Sequence, residues 1–270
     1  MAEGRLVQHH GEAIVLRTWP FHEADLLVSL FTREHGKVKG VARHAMRSRR
    51  RFGGALEPGT HVRATWAERP RQELARLDAF EILWSPLTEA VDRTRLAGLQ
   101  LVVEVLDEAM PEGAPEDAVF RLAVAVLAEM RAKTGIRDQG LGIRNQDANG
   151  GIWLPVTYFC LWMNRLMGWM AELGHCAVCG LDLRGQSVWW SPVADGVTCG
   201  DDRRAGSLAV SAASVAEGLG MFRTPLAVLA EQEWGAARCA DLRAFAVGTL
   251  ERHLERRLRS AAALGRDLRG

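Results

Sequence analysis

Residues 12 to 43 read EAIVLRTWPFHEADLLVSLFTREHGKVKGVAR, and three segments inside them decide the fold. Glu12 to Trp19 (EAIVLRTW), Asp25 to Thr32 (DLLVSLFT) and Gly36 to Arg43 (GKVKGVAR) each mix β-branched or aromatic residues with polar ones near period two, which is strand spacing. Pro20 and His35-Gly36 supply the turns. Thr60 to Glu68 (THVRATWAE) and Leu74 to Trp84 (LARLDAFEILW) continue the pattern beyond Gly53-Gly54 and Pro58-Gly59, with Pro70 between them. Five strands in so short a stretch can close into a small barrel, which leaves no sheet edge to protect. The expectation is an OB-type barrel over residues 1–84.

Past Trp84 the periodicity changes. Thr94 to Met110 and Glu116 to Lys133 place apolar residues at helical spacing, with Pro111 to Pro115 as the turn between two packed helices. Gly135 to Gly151 (GIRDQGLGIRNQDANGG) has turn formers and few apolar residues, and is read as a connector. Val156 to Leu173 is apolar nearly all round, so it belongs either among other helices or in a membrane. Asn164 and Arg165 interrupt a segment already short for a span, which favours the core of a helical domain over residues 85–270. The first residues lack the apolar region of a signal peptide, and a cytoplasmic protein is expected. Asp241 to Leu264 reads as a terminal amphipathic helix. Its arginines (Arg243, Arg252, Arg256, Arg257, Arg259) either serve neighbouring Glu251 and Glu255 or form a second anion-binding face.

Charge singles out one region. The chain of 270 residues carries a net charge of only +1, yet Lys37, Lys39, Arg43, Arg47, Arg49, Arg50 and Arg51 fall in one stretch without an acidic residue. Such a run gains binding free energy by displacing counterions from phosphates. On a barrel it begins on the third strand and sweeps out along the connection leaving it, where loops held by a rigid scaffold carry binding residues. Phe21, Phe52 and Trp66 are candidate platforms for stacked bases, set against the alternative that barrel aromatics bury area.

Five cysteines include one informative pair. Cys176 and Cys179 lie in GHCAVCG, where Gly180 allows a tight turn, and nineteen residues separate Cys179 from Cys199. That is most of a CxxC…CxxC zinc site, with Asp202 standing where the fourth cysteine would be. Zinc accepts carboxylate oxygen, so Cys176, Cys179, Cys199 and Asp202 form the candidate metal set, in a zinc-finger-like insertion over residues 174–206. The alternative is a hairpin that keeps the shape without the ion. A Cys176–Cys179 disulfide is disfavoured in a reducing compartment, and Cys160 and Cys239 read as small buried hydrophobes.

The order of these pieces resembles the RecO family of bacterial recombination mediators: GVARHAMRSRRRFGGALEPG at the exit of the third strand, then GHCAVCG, then RAFAVGTLERHLERRLRS. The resemblance implies a DNA repair protein without enzymatic activity, built from an OB domain, a helical domain and a cysteine-bearing insertion. It implies binding of single- and double-stranded DNA, annealing, and work with RecR and sometimes RecF in loading RecA onto DNA coated by single-strand-binding protein. It also implies that the acidic tail of the coating protein docks on the helical domain, for which Arg121 and Arg131 are the candidates, and a nucleoid-associated, cytoplasmic location. Asp202 departs from the zinc-bearing members.

Two other classes, a metal-dependent nuclease and a zinc-dependent DNA-binding regulator, are the alternatives. The chain holds no GxxxxGK[ST], HExxH or GxSxG motif, and Asp201-Asp202 lacks an acidic cluster to complete a two-metal nuclease. A zinc-dependent transcription regulator would require base-specific contacts.

Overall fold

The computed structural model describes residues 6–48, 50–86, 93–132, 151–232 and 234–267. The backbone divides into two compact units, residues 1–92 with 102–124 and residues 93–101 with 125–270.

The first unit contains five strands, β1 (Val7–Phe21), β2 (Asp25–Thr32), β3 (Gly36–Ala42), β4 (His61–Glu68) and β5 (Ala75–Trp84). They close in the order β1-β2-β3-β5-β4, with β4 returning to β1. All pairs are antiparallel except β3 with β5, joined in parallel at Gly40↔Ala75, Val41↔Arg76 and Ala42↔Leu77. This is the OB topology, a Greek-key barrel, in which β1 and β2 are buried on both faces over Ala13 to Leu16 and Val28 to Thr32. In β3 burial alternates throughout, with Val38 and Ala42 inside and Lys37, Lys39 and Val41 more exposed. Val15, Val28, Leu30, Val62, Trp66, Leu77 and Phe80 fill the interior. Gly40 is needed at the parallel seam, because a Cβ there would lie 2.7 Å from Leu77 Cδ2 and 2.8 Å from the Ala75 carbonyl.

Two helices follow, α1 (Arg93–Ala109) and α2 (Asp117–Ala132). The parts of them in the first unit pack on the barrel. Asp107 anchors the contact, accepting from Ser29 Oγ at 2.9 Å and lying 2.8 Å from Arg17 Nε, while Arg17 Nη2 reaches Glu108 at 2.7 Å. Phe120 of α2 meets Phe31, with ring centroids 5.7 Å apart. The β2–β3 turn is locked by Gly36, which has φ +67, and a Cβ there would fall onto the backbone of Ala114, 2.6 Å from its nitrogen. Left-handed strain and a collision with backbone combine, so Gly36→Ala is expected to cost about 2 to 4 kcal/mol in a denaturant melt. A loss below half a kcal/mol would show that the turn relaxes freely.

The second unit is helical around α3 (Trp153–Leu166), which packs on α6 (Ala240–His253). Eleven residues of α3 are buried, in line with a helix apolar on every side. Asn164, polar within that surface, donates to the carbonyls of Cys160 and Ala246, each at 2.8 Å. α3 ends at Leu166, short of the expected Leu173. Gly168 takes φ +70 there, and the Trp169 N–H returns to the Asn164 carbonyl, closing the end with a glycine cap. No helix among the described residues is long and apolar enough to cross a membrane.

The expected terminal helix is two helices, α6 and α7 (Arg259–Asp267). No proline marks the break. Glu255 adopts φ +54, and the Glu251 side chain turns back to accept from the Leu258 N–H at 2.9 Å, opening a new helix while Leu258 stays buried. Between α3 and α6 lie β6 (Val188–Trp190), β7 (Leu208–Val210), α4 (Ala212–Met221) and the single turn α5 (Leu226–Leu229), none of which the periodicity announces. α4 is Gly-rich but well capped: its Ser211 Oγ accepts from Ser214 N at 3.3 Å, and Asp241 accepts from the Ser211 N–H at 2.7 Å. The connector read over Gly135 to Gly151 lies, apart from Gly151, outside the described residues.

Candidate nucleic-acid interface and metal centre

The basic run divides into two sets. Lys37 and Lys39 serve the packing of the α1–α2 connection on the barrel. Lys37 Nζ donates to the Asp107 carbonyl at 2.6 Å, and Lys39 Nζ lies 2.5 Å from Glu112, whose carboxylate holds the amine above its ordinary pKa. Arg43, Arg47 and Arg50 are exposed and have no carboxylate partner among the described residues. Arg51 shapes the loop itself: Nη2 donates to the Arg43 carbonyl at 2.6 Å, Nε to Ser48 Oγ at 3.1 Å, and the guanidinium lies 5.2 Å from the Phe52 ring centroid. Arg49 lies outside the described residues.

Two of the three candidate platforms are enclosed. Trp66 is 0% exposed and Phe52 2%, with Phe52 plugging the barrel edge-on to Phe80, so neither offers a free face. Burial outcompetes stacking here because an indole or phenyl ring is the largest apolar filler available to a small barrel.

Phe21, only half-buried at the end of β1, is different. It lines a groove of about 600 Å³ together with Val41, Arg43, Arg69, Arg71 and Arg76. The groove lies beside β3 and the β4–β5 loop, the side on which OB folds take oligonucleotides. Glu73 is the single acidic residue along it, against four guanidiniums. Arg76 is held by both oxygens of Asp78, at 2.8 and 3.1 Å. Arg69 and Arg71 have no such partner among the described residues, and Arg71 takes a left-handed φ of 70. A run-based reading misses these three arginines because acidic residues and Pro70 dilute them in sequence. The signal that could have found them is the register: parallel pairing of β3 with β5 brings the loop ahead of Ala75 beside the end of β3.

The cysteine residues of the insertion also converge. Ligand atoms of Cys176, Cys179, Cys199 and Asp202 all lie within 4.8 Å of one another, the one such group among the described residues. Cys179 Sγ is 3.9 Å from Cys199 Sγ, and Asp202 Oδ2 is 3.2 Å from Cys176 Sγ and 3.1 Å from Cys199 Sγ. A tetrahedral ion with metal–sulfur bonds near 2.3 Å sets its sulfurs about 3.8 Å apart, so the donors fit one ion. Gly180 makes the knuckle possible with φ +74 and a bond from its N–H to the Cys176 carbonyl at 2.9 Å. The Cys199 N–H points at Cys176 Sγ from 3.4 Å. Burial pushes the Cys176 thiol up, but N–H groups of Cys179, Cys199 and Val178 outweigh it and leave the thiol below its ordinary pKa. Hydrogen bonding to the Asp202 carboxylate pushes the Cys179 thiol up to about 12, and the same thiols hold Asp202 below the usual carboxylate range. His175 sits 3.2 Å from Glu172 and does not join the set.

Profiles described as "Recombination protein O N terminal" and "Recombination protein O C terminal" match residues 6–86 and 142–262. DNA repair protein RecO of Koribacter versatilis (strain Ellin345) is 49% identical over 247 residues, covering 92% of this chain and 94% of that protein. The chain belongs to the RecO family. DNA repair protein RecO of Anaeromyxobacter dehalogenans (strain 2CP-C) is 31% identical over 247 residues, 91% of each chain. That of Geobacter metallireducens is 33% identical over 172 residues, 64% of this chain and 63% of its own.

The N-terminal match covers the five strands of the barrel. The two arginines suggested for an acidic tail both lie on α2. Arg121 is exposed and bound to Asp117 at 2.9 Å, an acid that also pairs with Arg33 at 2.7 Å, and Arg131 is exposed at the last turn. Of the terminal arginines, Arg243 is buried, donating to Thr157 Oγ1 and the Ala236 carbonyl and packing over Trp153, and Arg257 reaches Glu251 at 2.6 Å.

Proposed function

We propose that this RecO-family protein is a non-enzymatic mediator of DNA repair that binds single- and double-stranded DNA without reading sequence, anneals complementary strands, and with RecR, and in some settings RecF, loads RecA onto DNA coated by single-strand-binding protein. The observation that carries the binding step is the groove of Phe21, Arg43, Arg69, Arg71 and Arg76, with Arg47 and Arg50 exposed on the loop that follows Arg43. Guanidiniums answer phosphates, and one half-buried ring answers a base face of any identity. Neutralising two backbones removes their repulsion and leaves the base edges free to pair. Lys37 and Lys39 act at one remove, by fixing the strand from which the loop leaves.

Zinc at Cys176, Cys179, Cys199 and Asp202 would stabilise the hairpin that carries them. Engagement of Asp202 with three thiols supports a structural role over a nuclease one. The acidic tail of the coating protein docks on the helical unit, for which the exposed Arg131 of α2 is the candidate, while Arg121 falls with the barrel unit. The protein acts in the cytoplasm, at the nucleoid.

The test is annealing of complementary strands coated with the cognate single-strand-binding protein. Strand joining should be at least about tenfold faster than without the protein, and removal of the acidic tail of the coat should return it to the uncatalysed rate, since tail capture is what gives access. Annealing that ignores the coat's tail would place the partner contact elsewhere, and no acceleration on bare strands would remove the annealing role.

A further inference from the structure

The cysteine hairpin carries a second cluster that the barrel groove does not use. Trp189 of β6 lines a pocket of about 280 Å³ with Ser191, Thr198, Arg204, Ser207 and Arg252. Trp189 is half-buried, and the Arg203 guanidinium lies 5.8 Å from its ring centroid. Arg203 and Arg204 are exposed and have no carboxylate partner among the described residues. The one acid of the pocket, Asp195, is engaged by Arg252, with Oδ2 3.1 Å from Nη2, and lies 3.2 Å from His253 Nε2. A bound anion would therefore meet guanidiniums and serine hydroxyls, with the aromatic wall beside them.

From this we infer that the hairpin pocket is a second single-strand contact, distinct from the barrel groove, which takes one nucleobase against Trp189 and the adjoining phosphates on Arg203 and Arg204. The inference rests on the nucleic-acid reading of the chain. An aromatic face next to paired guanidiniums is the combination by which single strands are held without sequence preference. The metal cluster explains why the site is here. Arg203 and Arg204 directly follow Asp202, and Gly200 lies against the Trp189 ring, where a Cβ would sit 3.5 Å from Cη2 and Cζ3. Closing the hairpin on an ion would thus set both the ring and the charges. Two contacts on separate units would let one chain hold two strands, which joining them requires.

The full-length chain tests this with Arg203→Ala/Arg204→Ala, Trp189→Ala and Trp189→Phe, zinc content being measured for each. A strand carrying 4-thiothymidine should photo-crosslink to the Trp189 peptide, and the double arginine variant should lose that product. Its salt slope of log affinity should flatten by about 1.4, from roughly 0.7 per phosphate on single strands. Annealing should slow about tenfold in Trp189→Ala and recover in Trp189→Phe, since a single stack is worth about a factor of ten. Should Arg203→Ala disturb the metal, Arg204→Ala alone is used, with half the slope change expected. Wild-type slope and rate in the arginine variants, or crosslinks confined to the barrel, would overturn the inference while leaving the barrel reading intact. Crosslinks at Trp189 with none in the barrel would do the reverse.

Discussion

Reversing Arg43, Arg47, Arg50, Arg69 and Arg71 to Glu should lower affinity for an unstructured single strand by more than about hundredfold at low salt, since charge supplies nearly all of non-specific binding. The salt slope should flatten by roughly 3.5, from about 0.7 per lost phosphate contact. The five are exposed and lack carboxylate partners among the described residues, so the change leaves the barrel core and its anchor at Asp107 untouched. Lys37→Ala and Lys39→Ala make the control. Their amines already bind the Asp107 carbonyl and Glu112, so their removal should reduce thermal stability and leave the salt slope nearly unchanged. An unaltered slope in the five-arginine variant, or a slope that follows the lysines instead, would remove the groove from the interface.

The second large effect concerns the metal. Protein purified without chelator should carry about one zinc per chain, and Cys199→Ser should abolish it, since structural zinc contributes on the order of 10 kcal/mol or more to small folds that close on it. The hairpin from Gly174 to Gly206 should then become the preferred site of limited proteolysis while the barrel resists. Protons compete for the ligands, so the ion should be retained at neutral pH and released as pH falls. Asp202→Cys should tighten binding by completing four thiolates, and Asp202→Ala should weaken it without full loss. Essentially no zinc in the wild-type chain would sink the coordination proposal, and equal affinity in all three Asp202 forms would remove the aspartate from the ligand set.

The barrel was legible because β3 and most of β4 bury one face, which writes a period of two into the residues, and because turn residues bound β1 and β2, which are buried on both faces midway. The strand at Asp25 to Thr32 was read to the residue. Helix ends were less legible. Gly168 stops α3 through a left-handed cap that looks like one more small residue in an apolar run, and Glu251 breaks the last helix through a side-chain bond to a residue seven positions on. The convergence of Cys176, Cys179, Cys199 and Asp202 was readable from the chain, because the CxxC spacing and the knuckle glycine are local. The groove was half readable: Arg43 stood out, whereas Arg69, Arg71 and Arg76 are adjacent to it only through the β3–β5 pairing.

Composition and spacing alone determined that an OB-type barrel precedes helices and a cysteine hairpin, since periodicity and ligand intervals are local properties of the chain. Which cations face solvent and which rings are enclosed was decided only by the tertiary structure. Charge and aromaticity are written residue by residue, but a lysine's carboxylate or a tryptophan's cavity comes from segments dozens of positions away, and only the tertiary fold brings them together.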